Sequence, residues 1–168
     1  NEICEQLISK AIIKNGCASW EFGPNNNNRW SHWCNGSSGI GSALVRMYAT
    51  TNNKLYLDFA EMAACDVFNN IWNSSICQCH GACGDAEFLY DMYCFTQKTI
   101  YLSHLKCINE YISFSKVIKN NLYLFYDETK MKVSCDWGTG LSGAGTYFIR
   151  LRNREKRRLF MNDEFLFS

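Results

Sequence analysis

"CHGACGDAEFLYDMY" (residues 79–93) sets a cysteine beside a histidine, follows them with glycines, and then runs into an apolar stripe of Phe88, Leu89 and Met92. The same plan recurs at "CNGSSGIGSALVRMY" (34–48) and "GLSGAGTYFIRL" (140–151). Each stretch is a glycine-rich turn opening an apolar helix, and each follows a longer amphipathic segment. Cys34 and Cys79 are 45 positions apart, as are Gly39 and Gly84, whereas Gly84 and Gly143 are 59 apart. A period near 45 residues built from two helices belongs to helical repeat arrays. The expected fold is therefore all-α, with helical hairpins stacked so that each turn lies one repeat from the next. The longer third interval is assigned to an extended or hairpin insertion near 121–136, where Met131, Val133 and Cys135 alternate.

The rest of the chain fits this frame. "NEICEQLISKAIIKN" (1–15) places Ile3, Leu7, Ala11 and Ile12 on one helical face. "GPNNNNRWSHW" (23–33) is read as a polar loop. Ile40, Leu44, Met47 and Tyr48 form the stripe of the next helix, and "TTNNK" (50–54) ends it and caps the following one with Asn. That helix turns Leu55, Phe59, Met62 and Ala63 inward and ends near Asn69–Asn70. Tyr101, Leu105, Ile108 and Ile112 mark a helix from about Thr99 to Lys119. The last helix faces Ala144, Tyr147, Phe148 and Leu151 inward, and its basic run, Arg150 to Arg158, reads as a solvated face.

The totals exclude several function classes. The 168 residues are expected to form one domain. A single proline among them suits a helical chain, because proline breaks helix interiors. The net charge of +1 offers no electrostatic footprint for nucleic acid, and no apolar run reaches the ~20 residues needed to span a bilayer. Ten cysteines are too few for a secreted disulfide scaffold of this size. Cys65, Cys94 and Cys107 fall in helical patterns, where free cysteine acts as a small hydrophobe. A reduced, cytoplasmic setting follows, with any membrane association coming through a larger complex. The chain starts at Asn1, which is expected of a segment cut from a longer polypeptide.

The repeat carries Cys34 toward Cys79 and His80. Two cysteines and one histidine suit a zinc ion that keeps its fourth position open, the arrangement of catalytic rather than structural sites. A thiol entering that position would lose its proton. Two other readings stay open on the residues alone: a closed site with Cys77 or Cys83 as fourth ligand, and plain packing with no metal. Asp85 reads as a helix cap, and His104 as a surface or core histidine.

"HWCNGSSGIG", "CQCHGACGDAEFL" and "GLSGAGTYFIRL" together resemble the lanthionine synthetase C-like family, with its Trp-Cys-x-Gly, Cys-His-Gly and late glycine motifs in the same order. The resemblance implies an α/α toroid of seven helix pairs around zinc, the metal ligands falling on Cys34, Cys79 and His80. It also implies cyclase chemistry, in which a cysteine thiol of a dehydrated precursor peptide adds to dehydroalanine or dehydrobutyrine. The family's acid–base histidine lies well before the Trp-Cys motif, and this chain has no histidine before His32. His32 and Arg29, close before Cys34, are the candidates to serve the reaction here. Residues 1–168 hold about three to three and a half helix pairs and are expected to be the C-terminal portion of a cyclase domain. Such a portion would lie against the remaining half of the toroid or a second copy. A thiol-binding module (for glutathione or a protein), or an inactive remnant, is the alternative.

Overall fold

The computed structural model describes residues 2–161 and 163–167. Six α-helices hold most of the core: α1 (Glu2–Ser9), α2 (Ser37–Thr51), α3 (Lys54–Asn70), α4 (Ala82–Thr96), α5 (Ile100–Phe114) and α6 (Leu141–Asn153). Very short connections make α2–α3 and α4–α5 helical hairpins. Between α2 and α3, Asn52 adopts the left-handed conformation (φ 53°), which closes α2 by donating its backbone N–H to Tyr48 O. Asn53 then caps α3 by accepting the Leu55 N–H. The asparagines of "TTNNK" thus do what their residue type favours.

Helix α4 lies at the centre and contacts α2, α3, α5 and α6. Nearly all of its residues are buried, which is why "ACGDAEFLYDMYC" shows little amphipathic contrast. Leu44, Val45, Ala60, Val67, Phe88, Leu89, Met92, Ile108, Ile112 and Tyr147 fill the space between the helices. Helix α3 is rotated from the expected face: Tyr56, Ala60, Ala63, Ala64 and Val67 point inward, and Leu55 is largely exposed. In α6, Ala144 and Tyr147 are buried, whereas Phe148 is partly exposed and stacks on Phe125.

The chain is mostly helical rather than all-α, because three antiparallel strand pairs interrupt it. β1 (Ile12–Lys14) pairs with β2 (Cys17–Ser19), β3 (Glu21–Gly23) with β4 (Asn26–Arg29), and β5 (Val117–Lys119) with β6 (Leu122–Leu124). The first and third hairpins turn on two residues of positive φ: Asn15 (53°) with Gly16 (78°), and Asn120 (51°) with Asn121 (59°). This is the primed turn whose twist matches paired strands. It overrides the helical pattern read across Ile12, and it shortens α5 to Phe114. The polar stretch after Gly23 is likewise a hairpin, turning at Asn25 (φ 63°). The extended insertion is real but starts earlier than 121–136: β5 precedes that range and only β6 falls within it. Residues 125–136 form no strand, and Met131 is 85% exposed.

Two further expectations are corrected. Cys17 and Cys65 form a disulfide, tying β2 to α3, so Cys65 is not a free packing thiol; the other eight cysteines are free. The basic run is a solvated face only in part: Arg152, Arg154, Lys156 and Arg157 are exposed. Arg150 and Arg158 are buried and share Asp91 with Arg46, which also holds Asp163 through paired 2.7 Å bonds. Arg150 bonds Glu87 as well. Three arginines thus meet three carboxylates inside the protein, the arrangement that buried charge requires.

The three glycine turns superpose as one motif. The first residue of each following helix donates its N–H to the carbonyl seven positions earlier: Ser37 to Trp30 (3.3 Å), Ala82 to Ser75 (2.8 Å) and Leu141 to Ser134 (2.9 Å). A β-carbon on Gly39, Gly84 or Gly143 would fall 2.0, 1.8 or 2.1 Å from the carbonyl oxygen of Trp33, Gln78 or Trp137 respectively. Only glycine fits such a close backbone approach. The repeat spacing read from the sequence is therefore also the spacing of these contacts.

Candidate metal centre

The turns are stitched side by side. Cys34 N donates to Cys79 O (3.3 Å), Cys79 N donates to Gly138 O (2.8 Å), and the Gln78 side-chain amide donates to Gly143 O (2.9 Å). Arg158 donates to Gly84 O from the buried ion cluster and lies over the Trp33 ring. Trp33 in turn meets Trp137, its counterpart in the third turn, edge to face at 5.8 Å.

This stitching brings the ligand atoms of Cys34, Cys79 and His80 within 4.8 Å of one another, and all three side chains are half-buried. It is the one such group of three among the described residues. Cys79 Sγ and His80 Nε2 are 3.9 Å apart. With Zn–S near 2.3 Å and Zn–N near 2.0–2.1 Å, a tetrahedral ion would hold such a pair roughly 3.6 Å apart, so the donor set fits zinc. Burial, followed by the neighbouring Cys34, pushes the Cys79 thiol up to about 11. At neutral pH Cys79 therefore carries a proton that a metal must displace.

Cys77 and Cys83 stand outside the group. Cys77 is buried with its sulfur 3.2 Å from Ser75 Oγ, and Cys83 packs in the apolar core; burial raises both thiols.

Around the ligands the structure places residues that sequence reading missed or assigned differently. His80 Nδ1 lies 3.1 Å from Glu128 Oε2, at ion-pair distance but out of line for a hydrogen bond. Carboxylates in this position commonly orient a metal-binding imidazole. His32 Nδ1 is 2.9 Å from Asp85 Oδ2. Asp85 is therefore not a cap: α4 begins at Ala82, and the carboxylate is fully buried against His32. Burial raises the Asp85 carboxyl, and the contact with His32 opposes that rise. The Trp30 ring meets both imidazoles edge to face, 6.2 Å from His32 and 6.1 Å from His80. These side chains, with Glu128 and Lys130, line a cleft of about 500 Å³.

A second cleft of about 480 Å³ is lined by Cys34 and walled by Leu7, Trp20, Phe22, Trp33 and Ile40. Arg29 sits at the end of β4, is exposed, and bonds Ser19 Oγ at 3.4 Å. It shares a cleft with Trp30, His32 and Asp66 but is not hydrogen-bonded to the ligand residues. His104 belongs to another region, stacked on Phe68 at 3.7 Å.

A family model described as lanthionine synthetase C-like protein matches residues 2–165. No curated protein matches the chain.

Proposed function

The chain belongs to the lanthionine synthetase C-like family, and from that premise we propose that it is the C-terminal portion, residues 1–168, of a zinc-dependent lanthipeptide cyclase domain. The observation that carries the reading is the convergence of Cys34, Cys79 and His80 from two turns 45 residues apart. These residues would hold Zn²⁺ with its fourth position free. Zinc there supplies Lewis acidity, so that a thiol reaching it ionises at neutral pH.

The chain's own residues account for the rest. The cleft walled by Trp20, Phe22 and Trp33 receives the apolar part of a dehydrated precursor peptide and keeps water from the reacting sulfur. The thiolate adds to the β-carbon of dehydroalanine or dehydrobutyrine, forming a C–S bond, and the α-carbon takes a proton. In this reading His32 supplies that proton. With Asp85 accepting from Nδ1, Nε2 is left free on a ring that lines the neighbouring cleft with Trp30 and His80. Arg29 serves more remotely, through charge. Addition consumes one proton and releases one, so the step balances.

The domain is completed by the remaining half of the toroid or a second copy, within a larger synthetase in the cytoplasm. Exposed Phe114, Ile118 and Tyr123 support such a covering partner. No helix among the described residues is long and apolar enough to cross a membrane.

The test is a peptide with one cysteine and one dehydroalanine, given to the zinc-loaded chain with and without the completing half. Ring closure leaves the mass unchanged and removes the alkylatable thiol. The expected result is loss of that thiol in the presence of the completing half. A peptide that binds but keeps its thiol would replace this reading with a thiol-binding module.

A further inference from the structure

The third glycine turn sits in register with the two that supply metal ligands, and at the ligand position it has no side chain. Counting from the paired turn contacts, Cys34 in the first turn corresponds to Cys79 in the second and Gly138 in the third. The same bond links each to the next: Cys34 N to Cys79 O, and Cys79 N to Gly138 O. Trp33, Gln78 and Trp137 precede them in the same order. A β-carbon on Gly138 would lie 4.0 Å from Cys79 Cβ, with nothing nearer than Asp136 Oδ1 at 3.7 Å. These are ordinary contacts. In the same turn, by contrast, Gly140 and Gly143 are held to glycine by carbonyls at 2.5 and 2.1 Å. The fold demands glycine at 140 and 143 but not at 138.

The geometry points to Gly138 as the residue that keeps the fourth coordination position open. Three turns of one design converge, two provide thiolates, and the third withholds its side chain on the side facing Cys79. A side chain there would either close the site as a fourth ligand or occupy the approach of a substrate thiol. Because a three-ligand centre with an open position activates what enters it, whereas a four-ligand centre is inert, this position decides which kind of site the chain holds. The inference rests on the zinc reading proposed above.

The experiment uses cobalt(II) in place of zinc, in the full chain under a phosphine reductant, because cobalt reports ligand number and sulfur ligation by its visible spectrum. Wild-type protein is expected to bind cobalt and to change spectrum on adding a small thiol such as 2-mercaptoethanol. Gly138→Cys is expected to show stronger sulfur-to-cobalt absorption before any thiol is added, and to lose the response to added thiol. Gly138→Ala adds the β-carbon without a ligand, and is expected to bind cobalt and keep the response. It also shows that substitution alone does not unfold the turn. A Gly138→Cys protein whose spectrum and thiol response match wild type would overturn the inference. Failure of the wild-type chain to bind cobalt would instead overturn the metal reading on which it rests.

Discussion

Asp91→Asn tests the buried ion cluster that braces the turns. The Asp91 carboxylate is fully buried; its Oδ1 accepts from Arg150 at 2.7 Å and its Oδ2 from Arg46 at 2.9 Å, with Arg158 at 3.5 Å. Asparagine keeps the shape and removes the charge, leaving two buried guanidinium groups and the half-buried one of Arg46 to share Glu87 and Asp163. Removing one partner from a buried charge network costs about 3–5 kcal/mol. For a chain of this size each kcal/mol corresponds to about 2–4 °C, so the melting temperature should fall by roughly 6–20 °C. Thermal unfolding followed by far-ultraviolet circular dichroism reads this directly.

The pH dependence supplies a second check. Burial alone would raise the Asp91 carboxyl, but Arg150, Arg46 and Arg158 together hold it below the usual carboxylate range. A group whose folded pKa is depressed stabilises the fold above its unfolded value of about 3.9, and that contribution is lost as pH falls below it. The gap between wild type and Asp91→Asn should therefore be full at neutral pH and narrow below about pH 4. A melting temperature within 2 °C of wild type at pH 7, an order below the upper estimate, would refute the claim that this charge is needed inside the fold.

Other outcomes follow from the site and its turns. Glu128→Ala should weaken zinc binding by about 10–100-fold, with Glu128→Gln in between, as measured by chelator competition. Gly84→Ala forces a β-carbon toward Gln78 O and should lower stability in urea by about 1–3 kcal/mol or more, whereas Gly145→Ala, in open space within α6, should be neutral or stabilising. His32→Phe should leave zinc content unchanged and abolish thiol loss in the peptide assay, because its place is proton delivery and not ligation.

Helix α2 was legible because it has a long stripe with glycine before it and asparagine after it. Helix α4 was legible from the glycine turn that opens it, and α5 from its stripe of Tyr101, Leu105, Ile108 and Ile112. The turn repeat was legible because identical steric demands recur at fixed spacing, and it was enough to bring Cys34 to Cys79 and His80. Short strands gave way to the helical pattern read over Ile12 and Val117, although Asn15-Gly16 is a hairpin signal in its own right. Glu128 lies in an irregular segment where no periodicity tells which way a side chain faces. The Asp85–His32 pair joins residues 53 positions apart, and Asp85 near a helix start looks like a cap. Arg150 and Arg158 look solvated on sequence because their carboxylate partners come from α4 and the C-terminal segment, a pairing that only the packed chain creates.

The most direct test of the metal centre is zinc content of the purified, folded chain beside its Cys34→Ala variant. About one zinc per wild-type chain, lost in the variant while helical content is kept, is the predicted result for ligands converging from two turns. Zinc retained without Cys34, or none in a folded wild-type chain, would contradict it.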